Sequence, residues 1–183
     1  MAAVIRRSFI ALGLALALAP AWGQDASVTE ESVKAAFLYK FPAFIEWPAP
    51  ALERPDEPVV VGVIGGNDVF IELGLIAQQR KTGRPVTVRR VFDASGFPGL
   101  HMLFIGARER ARAPELIRAA QQQGVLTVTE WEGALRLGSV INFVTSNDGR
   151  VRFEVSLEPA EKSKLRLSSR LLAVAQQVHS TRP

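Results

Sequence analysis

Residues 33–48 place apolar, mostly aromatic side chains at the spacing of an amphipathic helix. One face of that helix would carry Val33, Phe37, Phe41 and Phe44. Such a face needs a core to cover, so we expect the helix to pack on the body of the protein. Pro42 predicts a kink, or a restart of the helix with the proline at the first helical position, because proline cannot donate to the helix ladder.

The ends of this segment are marked as well. Ser27 stands three residues before Glu30, the spacing of a capping box, so we expect Ser27 to cap the helix. Prolines follow Trp47, so the segment should end there. Two interpretations of Phe44, Glu46 and Trp47 stay open: they either pack on the core or form a partly exposed docking edge.

Short apolar runs alternate with helical patterns in the next part of the chain. Residues 59–64 are almost all β-branched, which is typical of a strand covered on both faces. Further strands are predicted at 86–92, 101–106 and 124–129, and helices at 69–79, 108–123 (starting in earnest at Pro114) and, as a short turn or helix, 130–137. This alternation predicts parallel strands joined by crossover helices.

A glycine turn at residues 65–68 joins the first of these strands to a helix. Such a turn can bind phosphate, since free N–H groups at a helix start attract anions. The glycine spacing matches neither the dinucleotide nor the P-loop pattern, and Asp68 would repel a phosphate. We therefore interpret it as an ordinary turn with Asn67 or Asp68 as the N-cap.

Two adjacent arginines stand in the strand predicted at 86–92. Neighbouring side chains of a strand point to opposite faces, so Arg90 would share a face with Val86 and Val88, and Arg89 would not. Either this strand lies at an edge of the sheet, or Arg90 is covered and has an acidic or anionic partner. An edge strand is the commoner case.

A β-hairpin follows, with strands predicted at 139–145 and 150–156 and a turn at 147–149. Asn142 falls on a face of this hairpin that should be covered, so its side chain must find hydrogen-bond partners. It either ties down a neighbouring loop or contacts a ligand.

The complete pattern predicts an α/β fold with a single domain. We expect a mixed sheet of about six strands covered by helices, with the hairpin and a final helix at the C-terminal end. That helix should be capped by Ser168 or Ser169 and run to Val178. Residues 159–164 are interpreted as the connection before it, and the tail after His179 as frayed.

The first residues have the features of a secretory signal. Two arginines precede an apolar run at 9–19, and small residues flank Trp22, as a signal peptidase requires. The run is shorter than the ~20 residues of a membrane span. We therefore expect residues 1–23 to be removed, and residues 24–183 to form an exported domain that is not embedded in the membrane.

Charge and reactive side chains exclude several function classes. The exported chain would carry 20 basic and 18 acidic residues, because the leader holds two arginines and no acid, so nucleic acid is not an expected partner. There is no cysteine and there are two histidines, which leaves few parts for nucleophilic catalysis or a metal site. We predict a protein that is not an enzyme and uses no metal or cofactor.

The strings Lys-Ala-Ala-Phe-Leu-Tyr-Lys-Phe and Phe-Ile-Glu-Trp-Pro within residues 33–48 resemble the opening signature of the YfiR-like family of periplasmic proteins. The resemblance continues over residues 30–178. Four later stretches fit the family in order, at 59–65, 83–91, 141–155 and 165–173.

This resemblance implies a regulator that inhibits an inner-membrane diguanylate cyclase, and so lowers cyclic di-GMP and biofilm formation. The implied partners are the periplasmic part of the cyclase, an outer-membrane lipoprotein that relieves inhibition, and a second copy of the chain in a homodimer. The candidate partner-binding residues are Phe44, Glu46 and Trp47, with Arg152, Glu154 and Arg170 as a second patch.

A second hypothesis is a periplasmic sensor that binds a small ligand without direct control of a cyclase. Arg90 and Asn142 are the candidate ligand contacts. The ligand would be an aromatic metabolite, which the resemblance also implies, or a nucleotide fragment. This hypothesis predicts a closed apolar pocket with a few converging polar groups.

Overall fold

The computed structural model describes residues 28–49, 51–80 and 83–180, so the predicted signal at 1–23 and the predicted cap Ser27 lie outside the described residues. The helices are α1 (Glu30–Lys40), α2 (Asn67–Gln79), α3 (Ala113–Gln122), α4 (Leu157–Lys162) and α5 (Ser169–Val174). The strands are β1 (Ile45–Glu46), β2 (Val59–Ile64), β3 (Val86–Arg90), β4 (Met102–Ile105), β5 (Leu126–Thr129), β6 (Ile141–Thr145), β7 (Val151–Ser156), β8 (Arg166–Leu167) and β9 (Gln177–His179). Short 3₁₀ helices lie at Phe41–Phe44, Ala94–Gly96, Ala107–Glu109 and Ala134–Leu137.

Within the described residues, the main sheet has seven strands in the order β3-β2-β4-β5-β6-β7-β9. The strands from β3 to β6 are parallel, β7 is antiparallel to β6, and β9 is parallel to β7. β1 and β8 form a separate antiparallel pair. The α/β fold and the mixed sheet are confirmed, and the sheet has one strand more than expected.

Helices cover both faces of the central strands. α1 and α2 pack on one face, where Leu38 and Leu73 belong to the same apolar cluster as Phe104 of β4. α3 packs on the other face, where Leu116 clusters with Leu103. Adjacent residues of β4 are therefore buried on opposite sides, and the same holds for β2, whose apolar run predicted this arrangement.

The aromatic face predicted for α1 packs on the hairpin. The ring of Phe41 lies 5.1 Å from Phe153 and 5.9 Å from Phe143, and Phe37 lies 5.5 Å from Phe153, measured between centroids. The chain restarts as the 3₁₀ helix Phe41–Phe44 after α1, but one residue earlier than predicted, because Pro42 is the second residue of this helix. Edge-to-face pairs of this kind add to the hydrophobic burial that fixes α1 on the sheet.

The caps of the first two helices differ from prediction. Thr29, and not Ser27, caps α1, because its Oγ1 accepts the N–H of Ser32 at 3.1 Å. The N-cap of α2 is Gly66, with no side-chain cap, so neither residue predicted for that role holds it. A Cβ at Gly66 would lie 2.6 Å from the ring of Phe104, so packing reserves this position for glycine.

The C-terminal end departs most from prediction. Ser168 caps α5 as expected, but the helix ends at Val174 and does not run on to residue 178. Leu171 is buried in the main core, whereas Val174 is 67% exposed. The chain becomes extended, the N–H of Gln176 donates to the carbonyl of Phe153 at 2.8 Å, and β9 joins the sheet beside β7.

The predicted connection at 159–164 is largely the helix α4. Pro159, which suggested a break, is the third residue of this helix. Its missing N–H costs nothing there, since the first N–H groups of a helix have no partner within the helix. A proline near a helix start is therefore a poor signal for a loop.

Candidate functional site

The turn between α1 and the sheet carries the predicted docking residues Phe44, Glu46 and Trp47, which we call the aromatic edge. In the β1–β8 pair, Ile45 is buried opposite Leu167, whereas Glu46 lies opposite Arg166 and its side chain is 75% exposed. Phe44 is half-buried against the main core. The edge therefore combines a fixed apolar base with an exposed carboxylate.

Trp47 is half-buried and held by the start of β4. Its indole Nε1–H donates to the carbonyl of His101 at 3.3 Å, and the two rings meet edge to face at 6.0 Å. His101 is fixed in turn, because its Nδ1 accepts the N–H of Val60 at 3.1 Å. Trp47 thus packs on the framework and stays partly exposed, and its role in docking remains a prediction.

Arg170 belongs with the aromatic edge and not with the residues of the second patch. It is exposed on α5, which packs against the 3₁₀ helix Phe41–Phe44. The N–H of Ser168 donates to the carbonyl of Phe44 at 2.9 Å and fixes α5 beside the edge. Arg166, which sequence reasoning missed, adds a second cation 3.8 Å from Glu46.

The other two residues of the second patch lie on β7, facing away from the aromatic cluster of α1. Arg152 is exposed and 4.0 Å from Asp148 in the hairpin turn. The Glu154 carboxylate is 3.8 Å from Nε2 of His179 in β9. The structure therefore does not bring Arg152 and Glu154 together with Arg170 into one patch.

Asn142 is 2% exposed and lies opposite Glu154 in the hairpin. Its Oδ1 accepts hydrogen bonds from Thr129 Oγ1 at 2.9 Å and from the N–H of Trp131 at 3.2 Å. It thus ties down the loop after β5, as one of the two interpretations held. It also lines a groove of about 820 Å³ whose other lining residues are mostly charged or polar.

Arg90 ends the edge strand β3, which confirms the edge interpretation of this strand. Its guanidinium lies 4.2 Å from the ring centroid of Phe70 on α2 and is exposed. Arg89, on the other face, donates to the carbonyls of Gly96 and Pro98 at 3.0 and 2.8 Å. Arg90 and Asn142 lie at different cavities and cannot contact one small ligand.

A buried ion pair at the carboxyl end of the sheet escaped the sequence analysis. Lys34 Nζ lies 2.6 Å from Glu130 Oε2 and 2.7 Å from Glu30 Oε1, and its side chain is 10% exposed. Burial alone would lower the pKa of Lys34, but the hydrogen bonds and charges of Glu130 and Glu30 outweigh it and raise that pKa. Glu130 Oε1 also accepts the N–H of Ala107 at 2.8 Å, so this lysine locks α1 to the sheet.

The family model described as YfiR/HmsC-like matches residues 31–176 of the chain. No curated protein matches the sequence. Among the described residues, no helix is long and apolar enough to cross a membrane.

Two solved structures share the fold. A conserved domain protein from Vibrio cholerae O1 biovar eltor has a TM-score of 0.53 and 9% sequence identity, over 81% of this chain and 60% of that one. The ABC domain in complex with L-Trp from Streptococcus pneumonia has a TM-score of 0.53 and 9% identity, over 82% of this chain and 60% of that one. The chain thus spans about 60% of either structure, and at this identity the likeness concerns the fold alone.

Proposed function

Because the chain belongs to the YfiR/HmsC-like family, we propose that it is a periplasmic regulator that binds and inhibits an inner-membrane diguanylate cyclase. By doing so it lowers cyclic di-GMP and biofilm formation. It acts by binding and catalyses no reaction. Export through the signal at residues 1–23 brings it to the side of the membrane where the periplasmic part of the cyclase lies.

The observation that supports this function best is the geometry of the aromatic edge. Trp47 and Phe44 are held by the framework, and the exposed charges of Glu46, Arg166 and Arg170 surround them. Aromatic side chains that are fixed before binding lose little conformational entropy on association. Apolar anchors within a charged rim are the usual arrangement of a protein–protein hot spot.

Inhibition follows from an occupancy switch. When bound, the protein favours the inactive arrangement of the cyclase, which requires a higher affinity for that arrangement than for the active one. A lipoprotein of the outer membrane relieves inhibition by competing for the regulator. A homodimer would present two aromatic edges to the periplasmic parts of a dimeric cyclase.

Cyclic di-GMP measured in four strains tests the function. The strains are the wild type, a deletion, and the deletion complemented with either the full chain or a copy lacking residues 1–23. We expect the nucleotide to rise on deletion and to fall again only with the full chain. An unchanged level in the deletion strain, with cyclase genes expressed, would contradict the proposal.

Direct binding to the periplasmic part of the cyclase tests the surface. Trp47→Ala also removes packing, so the exposed substitutions Glu46→Arg and Arg170→Glu are the better probes. Each should weaken binding at least about tenfold, since an opposite charge is then placed in the rim. Arg118→Glu, exposed on α3 at the other face of the sheet, is the matched control and should bind normally.

A second candidate function is the ligand sensor, and the Asn142 groove favours it. The groove lies on the part of the sheet formed by β6, β7 and β9, and Asn142, Glu154 and His179 line it. Its polar lining differs from the closed apolar pocket that the hypothesis predicted. Thermal shifts with aromatic amino acids and nucleotide fragments, lost in Glu154→Gln, would support this function over the regulator.

A further inference from the structure

A crevice lies where the carboxyl ends of β3, β2 and β4 meet, and we call it the arginine crevice. Its volume is about 380 Å³, and its lining includes Gly65, Gly66, Asn67, Arg90, Arg108 and Arg112. β2 has β3 on one side and β4 on the other, and the crossovers α2 and α3 cover opposite faces. Open α/β sheets bind ligands at such a point of reversed strand order.

The guanidinium groups of this crevice are positioned but not neutralised. Arg112 is held by Glu109 at 3.1 Å and by the carbonyl of Phe92 at 3.4 Å. Arg90 stacks on the ring of Phe70, which orients it and consumes none of its N–H donors. In the part of the chain that the structure describes, neither Arg90 nor Arg108 has an ion pair, and neither side chain has a hydrogen bond.

The charge balance of the crevice is positive. Among the described residues, Glu109 is the single carboxylate that lines the crevice, and it is paired with Arg112, which leaves Arg90 and Arg108 without an ion pair. Arg108 also lines the neighbouring cavity, where Asp68, Glu31 and Glu130 lie, so these carboxylates offset part of its charge and Arg90 is the cation of the crevice that lines no acidic cavity. The start of α2 at Gly66 has no side-chain cap, but Asp68 in its first turn offsets the partial charge of the N–H groups, so the arginines supply the positive charge of the crevice.

We propose that the arginine crevice binds a phosphate group. Planar guanidinium groups donate bidentate hydrogen bonds to phosphate oxygens, and two of them can approach one phosphate from two sides. The phosphate belongs either to a soluble phosphate ester or to an anionic lipid headgroup. Phe92, which is 73% exposed at the rim, would enter the membrane surface only in the second case.

Binding of a soluble phosphate ester is tested by titrating the exported protein with inorganic phosphate and with glycerol 3-phosphate. Sodium chloride of equal ionic strength is the control. Co-sedimentation with phosphatidylglycerol vesicles, against phosphatidylcholine vesicles, tests the lipid source. Arg90→Gln and Arg108→Gln should each weaken binding about tenfold, the loss expected for one charge-assisted contact. Arg118→Gln, exposed on α3 outside the crevice, should bind like the wild type.

Phe92→Ser separates the two sources, because it should reduce vesicle binding and leave phosphate titration unchanged. All substituted residues are exposed, so circular dichroism melts should match the wild type within a few degrees. If Arg118→Gln weakened binding as much as Arg108→Gln, the binding would reflect a general attraction of anions to a basic surface, and the proposed site would be wrong. The site would also be overturned if phosphate bound no more strongly than chloride, and if phosphatidylglycerol vesicles bound no more protein than phosphatidylcholine vesicles.

Discussion

Strand β6 meets two different environments on the two faces of the sheet. Towards α1, Phe143 packs against Phe41 and Phe104, with ring centroids 5.9 and 6.3 Å apart. On the opposite face, the neighbouring Asn142 is equally buried but accepts hydrogen bonds from Thr129 and the backbone of Trp131. Phe143 is held by apolar contacts, which have no preferred direction, whereas Asn142 is held by hydrogen bonds, which require a defined geometry.

The difference follows from what covers each face. A helix satisfies its own backbone groups and can lie on an apolar surface, whereas a loop brings N–H groups that need acceptors. The loop after β5 lies over β5 and β6 on the polar face, where Thr127 Oγ1 accepts the N–H of Val140 at 3.1 Å. The buried polar residues of this face therefore hold the loop in place. They are Thr127, Thr129, Ser139 and Asn142.

The largest effect is expected on the apolar face. Phe41→Ala removes a ring that is 1% exposed and packed by three aromatic neighbours, so it should lower the free energy of unfolding by about 3–5 kcal/mol. Urea denaturation measures this loss. Phe92→Ala, at an exposed phenylalanine, should change stability by less than about 0.5 kcal/mol, and an equal loss there would refute the packing argument.

The second largest loss of stability is expected when the ion pair of Lys34 is broken. Lys34→Met leaves the buried carboxylate of Glu130 without its cation, which should cost about 3 kcal/mol. Adding Glu130→Gln removes the unpaired charge and should restore part of the loss, since glutamine can still accept the N–H of Ala107. A double-mutant cycle in urea measures the coupling, and strictly additive losses would show that the pair does not lock α1 to the sheet.

On the polar face, Asn142→Ala should cost about 2 kcal/mol, because the buried N–H of Trp131 loses its acceptor and Thr129 Oγ1 loses one of its three acceptors. Asn142→Asp keeps an acceptor oxygen and serves as the matched comparison. Hydrogen exchange at Trp131 should accelerate in the alanine variant. If exchange there stayed slow while global stability fell, Asn142 would act through packing and not through the loop.

The smallest effect is a pH dependence at the amino end of β4. Burial lowers the pKa of His101 below its usual value of about 6.5, with a smaller lowering from Arg84 against a raising effect of Glu57. The unfolded chain then binds the proton first, so the stability contribution is present above pH ~6.5 and is lost as pH falls through the folded pKa. Unfolding curves between pH 7.5 and 5 should show this loss in the wild type and less of it in His101→Asn.

Much of the sheet could be predicted, because the order of apolar and polar residues within each strand indicates which of its faces are buried. The run at β2 is apolar without alternation, which requires cover on both faces, and Val151, Phe153 and Val155 alternate with polar residues in the hairpin. The aromatic face of α1 was equally visible. These patterns depend on neighbouring residues alone.

The rest depends on contacts between distant parts of the chain. Lys34 looks like an ordinary polar residue of a helix, and only Glu130, 96 residues away, makes it a buried one. The grouping of Arg170 with the aromatic edge required the pairing of β1 with β8. Strand β9 has three residues, too few for an alternating pattern to identify, and the free edge of β7 decides its conformation.

That last strand also governs when the fold can be completed. Synthesis delivers the N-terminal strands first, so β7 gains its outer neighbour only after every other strand of the main sheet has been made. A chain that stops before Gln177 would expose the backbone of β7 along an open edge, which is a template for pairing with other molecules. Residues 177–179 therefore cover part of an edge of β7 that would otherwise be open, and a fusion partner attached directly after His179 would obstruct this pairing.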